Sequence, residues 1–127
     1  MLIQRAAESQ SAQEYGCDFR RLYPWRGTVD PVFWGSGWCD VAPGEATTPH
    51  QHDEHETFIV TAGRGRMRIG DEEAVVEAGD VIYVPPFNEH TVRNISENDS
   101  LKVLCVWWGG AEACERMATT LAQVEPA

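Results

Sequence analysis

No stretch of this sequence approaches the ~20 consecutive apolar residues that span a bilayer, although hydrophobic residues make up 43% of its 127 positions. Its start, "MLIQRAAESQSAQ", has no long apolar segment of the kind a secretory signal carries. A cytoplasmic protein without a membrane partner is therefore expected. Positive charge is also scarce. Ten Lys and Arg stand against 20 Asp and Glu, a formal charge of -10 that repels phosphate backbones and anionic lipid. Nucleic acid is excluded as an expected partner. Paired cysteines are missing as well: Cys17, Cys39, Cys105 and Cys114 form no C-x-x-C, which argues against a zinc knuckle or a thioredoxin-like redox site. They read as four free thiols, with Cys105, inside "LKVLCVWW", as buried packing. The sequence has no internal repeat, no low-complexity segment and no second domain, and its length suits a single core.

What is present is a chain punctuated by Gly, Pro, Asp or Asn every few residues from Phe19 to Trp108. Between those marks lie short runs rich in Val, Ile, Thr and aromatics, the pattern of an all-β domain. The expected strands are Val32–Val41, Glu56–Ala62, Gly65–Ile69, Ala74–Val76, Asp80–Val84, His90–Asn94 and Leu101–Trp108. Gly70-Asp71 offers a tight hairpin turn, whereas "VPPFNEH" reads as a loop because Pro85 and Pro86 lack donors. Beyond Gly109-Gly110 the period changes. Ala113, Met117, Leu121 and Val124 fall at spacings of three and four, as on a short amphipathic helix. The expected organisation is an arm over 1–14, a barrel over 15–110, and a helix and tail over 111–127.

The chain has four histidines, and three of them crowd into "HQHDEHETFIV". Alternation along a strand puts His50 and His52 on one face, and Glu56 joins them if the segment stays extended. His55 has the opposite parity and reads as an exposed loop residue, with Asp53 and Glu54 as solvated neighbours. A fourth ligand would have to come from elsewhere, and His90 is the remaining histidine. Three imidazoles and a carboxylate suit one divalent transition metal, zinc first, with iron, manganese, nickel or cobalt as alternatives. Spacing alone leaves a metal site and a solvated acidic loop both open.

The same residues carry a family resemblance. Gly44, five residues, His50, one, His52, three, Glu56, six, Gly63 resembles the first cupin motif at every fixed position. Gly79, five residues, Pro85, then His90, three residues, Asn94 resembles the second, with Phe87 where that motif usually has glycine. The resemblance covers about residues 30–108. It implies a double-stranded β-helix, or jelly roll, in which His50, His52, Glu56 and His90 share one metal. For a substrate pocket, Trp38, Phe58, Met67, Tyr83 and Trp107 are the candidate contacts. Such a site fits an enzyme acting on a small polar molecule in secondary metabolism, by isomerase, cyclase or dioxygenase chemistry. A ligand-binding module without catalysis is the alternative.

The run "WCDVAPGEATTPH…HETFIV…GDVIYVPPFNEHTVRN…VLCVWWGG" is also similar to the cupin part of hydrazine synthetases. That resemblance implies N–N bond formation by rearrangement of an O-aminoacyl hydroxylamine ester, with a synthetase-like domain as partner. Finally, "FRRLYPWRG" carries Phe19, Leu22, Tyr23 and Trp25, more apolar surface than a free arm should expose. A homodimer with this segment in or near its interface is expected.

Overall fold

A computed structural model describes residues 1–30 and 33–123. A 3-10 turn at Ala6–Glu8 precedes β1 (Ala12–Glu14), β2 (Cys17–Tyr23), β3 (Trp34–Val41), β4 (Glu54–Ala62) and β5 (Arg64–Ile69). β6 (Glu72–Glu77), β7 (Val81–Val84), β8 (His90–Asn94), β9 (Leu101–Gly109) and the helix α1 (Gly110–Ala122) complete the described residues. The strands form a six-stranded sheet, β1-β2-β3-β9-β4-β7, and a three-stranded sheet, β6-β5-β8. The expected all-β jelly roll with one short C-terminal helix is the fold of this chain.

Period-two burial places the core between the sheets. Along β9, Leu101, Val103 and Cys105 are buried while Lys102, Leu104 and Val106 face the other way. Phe58 and Val60 of β4, Met67 of β5, Val84 of β7 and Val92 of β8 complete the same interior. Each fully buried aliphatic side chain contributes about 1.5–3 kcal/mol. Asn94, wholly buried, closes β8 by donating through Nδ2 to the carbonyls of Val41 (2.9 Å) and Asp99 (2.7 Å). Its own Oδ1 accepts from the Ser96 amide at 2.9 Å, so no polar atom of the amide is left without a partner.

Gly70-Asp71 forms the expected two-residue hairpin, closed by the Ile69–Glu72 pair. Val32, where a strand was expected to start, lies outside the described residues; β3 begins at Trp34. β4 starts two residues earlier than expected, because Glu54 and His55 still find partners in Gly109 and Trp108 of β9.

The N-terminal region departs furthest from expectation. β1 falls within the supposed arm, and β2 pairs with β3, so "FRRLYPWRG" folds back onto its own barrel. Phe19 and Cys17 are buried there. The segment therefore cannot supply its Phe19 face to a second copy. α1 forms as expected, but its apolar stripe stays uncovered: Met117 and Leu121 are exposed, and the helix buries no residue. Val124, the last member of that stripe, lies outside the described residues.

Candidate metal centre

His50, His52, Glu56 and His90 converge from three parts of the fold. Glu56 points inward from the centre of β4, paired on either side with Val84 and Trp107. His90 opens β8, and His50 forms an isolated bridge with it, the two backbones exchanging hydrogen bonds of 3.0 and 3.3 Å. The Phe87 amide donates to the His52 carbonyl at 2.8 Å, which ties the loop before β8 to the loop before β4. One potential ligand atom from each of the four side chains lies within 4.8 Å of the other three.

The three rings are set by a common device. Nδ1 of His50 lies 2.8 Å from the Thr48 carbonyl, Nδ1 of His52 3.0 Å from that of Glu54, and Nδ1 of His90 2.9 Å from that of Asn88. A carbonyl accepts only, so each Nδ1 carries a proton and each Nε2 is the atom turned toward the centre. Glu56 Oε1 sits 3.1 Å from Nε2 of His52 and 3.1 Å from Nε2 of His90. Metal–ligand bonds of about 2.1 Å would put adjacent ligand atoms about 3 Å apart in an octahedral shell. The donor set therefore fits a divalent cation.

Electrostatics agree with that reading. Burial pushes the Glu56 carboxyl up and is the largest single influence on it. The hydrogen bonds from His52 and His90, together with the charges of those two rings, outweigh burial and hold Glu56 below the usual carboxylate range. His52 is raised, first by its hydrogen bond to Glu56, with burial opposing. The cluster thus keeps an anionic carboxylate inside, ready to be neutralised by protons on nitrogen or by a metal.

The four groups open into a cavity of about 470 Å³. Phe58 and Trp107 line it, as expected. Trp38, Met67 and Tyr83 do not. Trp38 and Tyr83 have the wrong parity and face outward from the six-stranded sheet, Trp38 opposite Arg20 and Leu104, and Tyr83 half exposed. Met67 points inward but is buried in the hydrophobic core. Glu54, read as solvated, shares the parity of Glu56 and lines the cavity, and burial pushes its carboxyl up. His55 belongs to β4 and not to a loop. It stacks on Trp108, ring centroids 5.4 Å apart, and lies 2.7 Å from the Tyr83 hydroxyl.

Sequence reading missed the β2 contribution to the wall. Tyr15, Cys17, Phe19 and Arg21 line the cavity, Tyr15 stacked on the His50 ring at 5.1 Å. The alternation of Cys17, Phe19 and Arg21 with Asp18 and Arg20 was the available signal. Across from them β3 supplies two glycines. A Cβ on Gly37 would lie 2.2 Å from the Phe19 ring, and one on Gly35 2.3 Å from the Trp107 indole. Both rings sit close against β3 because those side chains are missing. Cys105, read as inert packing, also reaches the cavity beside Cys39 and Cys17. Cys39 and Cys17 are 2.8 Å apart, and hydrogen bonding among the three thiols and burial push both well up, so they stay protonated.

An antiparallel jelly roll holding three imidazoles and a carboxylate between its sheets defines a small barrel with a candidate metal site. The cupin domain model matches residues 37–107, and the chain belongs to the cupin family. A cupin 2 conserved barrel protein of Salinispora arenicola superposes with a TM-score of 0.81 at 30% identity, covering 94% of this chain and 98% of the other. A Photorhabdus luminescens protein superposes with a TM-score of 0.78 at 32% identity, covering 97% and 98%. An uncharacterized protein of Methanocaldococcus jannaschii is 39% identical over 66 residues, 51% of this chain. The chain spans about half that relative's length, 52%. Among the described residues no helix is long and apolar enough to cross a membrane.

Proposed function

We propose that this chain is a metal-dependent cupin enzyme that transforms a small polar molecule, with His50, His52, Glu56 and His90 as its metal ligands. The observation that carries the reading is the triple Nδ1 anchor. It turns three Nε2 atoms and the Glu56 carboxylate toward one point on the wall of a cavity large enough for a small substrate. A structural cluster would have no need to fix three rings in the same tautomer. When bound, a divalent metal supplies Lewis acidity at positions the four side chains leave open. The chain's own residues hold the ligands in place, and Phe58, Trp107, Tyr15 and Phe19 screen the site from water.

Zinc is the metal proposed, and the reaction proposed is rearrangement of an O-aminoacyl hydroxylamine ester to an N–N bond, with a synthetase-like partner supplying the ester. The residue run quoted above supports that choice of substrate. In this reading the cavity wall holds the ester's two nitrogens about 3 Å apart; the amine nitrogen attacks the hydroxylamine nitrogen, the N–O bond breaks, the carboxylate it releases stays on the same molecule, and the amine's proton passes to solvent.

Metal content of the purified protein, measured beside His52→Ala and Glu56→Ala, tests the centre. One equivalent in the wild type and at least tenfold weaker uptake in both variants is the expected result. Anaerobic turnover of an O-aminoacyl hydroxylamine ester by the zinc-loaded protein tests the reaction. Activity only with iron and with oxygen uptake would instead identify a dioxygenase. Ligand binding without turnover under either metal would identify a binding module.

A further inference from the structure

We propose that Arg21 is a carboxylate-recognition residue: it takes a free carboxylate of the molecule held in the cavity, while the aromatic wall takes that molecule's apolar part. This rests on the metal-centre reading only in taking the same cavity as the substrate site. Among the described residues Arg21 is the one arginine or lysine that lines the cavity. Its position follows from strand parity: Cys17, Phe19 and Arg21 share the inner face of β2, while Arg20 turns away and donates to Ser9 at 2.8 Å. In a chain of formal charge -10, an inward guanidinium is a localised attraction for an anion.

The local geometry holds that guanidinium over two aromatic rings. Its Cζ lies 5.2 Å from the Phe19 ring centroid and 5.6 Å from that of Trp107. Those rings lie where they do because Gly37 and Gly35 leave room for them. Cation–π contact places the charge without giving its N–H donors an oxygen acceptor. Among the described residues its one ion pair is a single contact with Glu14 at 3.4 Å, with the two side chains 34% and 40% exposed. A long, exposed, one-point pair of this kind is weak, and it engages one of five donors.

A carboxylate offers two oxygens at the spacing of a guanidinium's paired donors. Tyr15, Phe19, Phe58 and Trp107 supply aromatic surface for the rest of the ligand. A phosphate site would call for more cations or a row of backbone amides, and a single arginine suits one carboxylate.

The test is an NMR titration with benzoate, phenylacetate and 3-phenylpropionate, each against its neutral amide. It uses the protein both metal-loaded and stripped by chelator, and Arg21→Gln, Arg21→Lys and Arg20→Gln as variants. At least one acid is expected to bind about ten- to a hundredfold more tightly than its amide, the range of a charge-assisted contact. The preference should persist without metal, survive in Arg20→Gln, weaken in Arg21→Lys and vanish in Arg21→Gln. A preference that survives Arg21→Gln, that disappears on stripping the metal, or that no acid shows would overturn the assignment. A wild-type chain that takes up no metal would sink the metal reading alone, since the acid–amide comparison is made without metal as well.

Discussion

Phe87 occupies a backbone conformation that residues with a Cβ avoid. Its φ is +63°, its side chain is 71% exposed, and it stands where the second cupin motif usually has glycine. The turn is therefore kept although the glycine is not, and the strain is held by the hydrogen bond that the Phe87 N–H donates to the His52 carbonyl. The left-handed region costs an L-residue about 1–2 kcal/mol. Replacing Phe87 by glycine should raise stability by up to about 1 kcal/mol, part of the relief being offset by a freer unfolded chain. Urea midpoints of the two proteins at equal m-value check this, and a lower midpoint for Phe87→Gly would show that the ring contributes packing of its own. The His52–Glu56 pair sets a pH dependence. His52 is raised above its ordinary 6.5, so its contribution is complete below that value and is lost as pH rises through the folded value. Glu56 is lowered from its ordinary 4.5, so its contribution is present above that value and is lost as pH falls through the folded one. Without metal, the pair should stabilise most between about pH 4.5 and 6.5. The stabilisation gained from added metal should instead grow from pH 5 to 8, as protons leave nitrogen. Thermal melts with and without chelator across that range would show it.

β3 is the element that makes the cavity, through what it lacks. Gly37→Ala or Gly35→Ala would drive a methyl into the Phe19 or Trp107 ring, and overpacking of this kind costs about 1–3 kcal/mol. Chemical denaturation should show the loss, and the aryl acids should bind more weakly in both variants. Unchanged binding would mean that the rings can move aside freely. The same scale explains what could be read from sequence. Strands such as Leu101–Gly109 and Glu54–Ala62 were legible because they alternate between a core and an outer face. So were His50, His52, Glu56 and His90, whose spacing places them in a motif. β2 was not, because its apolar alternation is short: Cys17 and Phe19 join the core, but the next inward residue, Arg21, is charged. Trp38 and Tyr83 face outward because strand parity, and not aromatic character, decides which side of the sheet a residue takes.

On the scale of the whole molecule, uncovered apolar surface remains although the Phe19 segment is folded inward. Trp34, Tyr83, Trp108 and Val81 are exposed on the outer side of the six-stranded sheet, and Met117 and Leu121 on α1. A homodimer is still the proposal, through those surfaces and the partly exposed Leu22, Tyr23 and Trp25, with Phe19 itself turned inward. Sedimentation should give a dimer at micromolar concentration, and a charged substitution at Trp108 should dissociate it. A clean monomer would reject self-association. One further link spans the molecule. The Asp53 carboxylate, next in sequence to His52, accepts the Ala111 amide in the first turn of α1 at 2.8 Å, and Gly110 lies against Asp53 and Glu54. That carboxylate also meets the positive end of the helix. The helix and the ligand loop therefore share one anchor, and whatever stills the loop stills the helix. Deuterium uptake by the first amides of α1 should slow when His52 takes up metal, turning the helix into a reporter of an event it never touches.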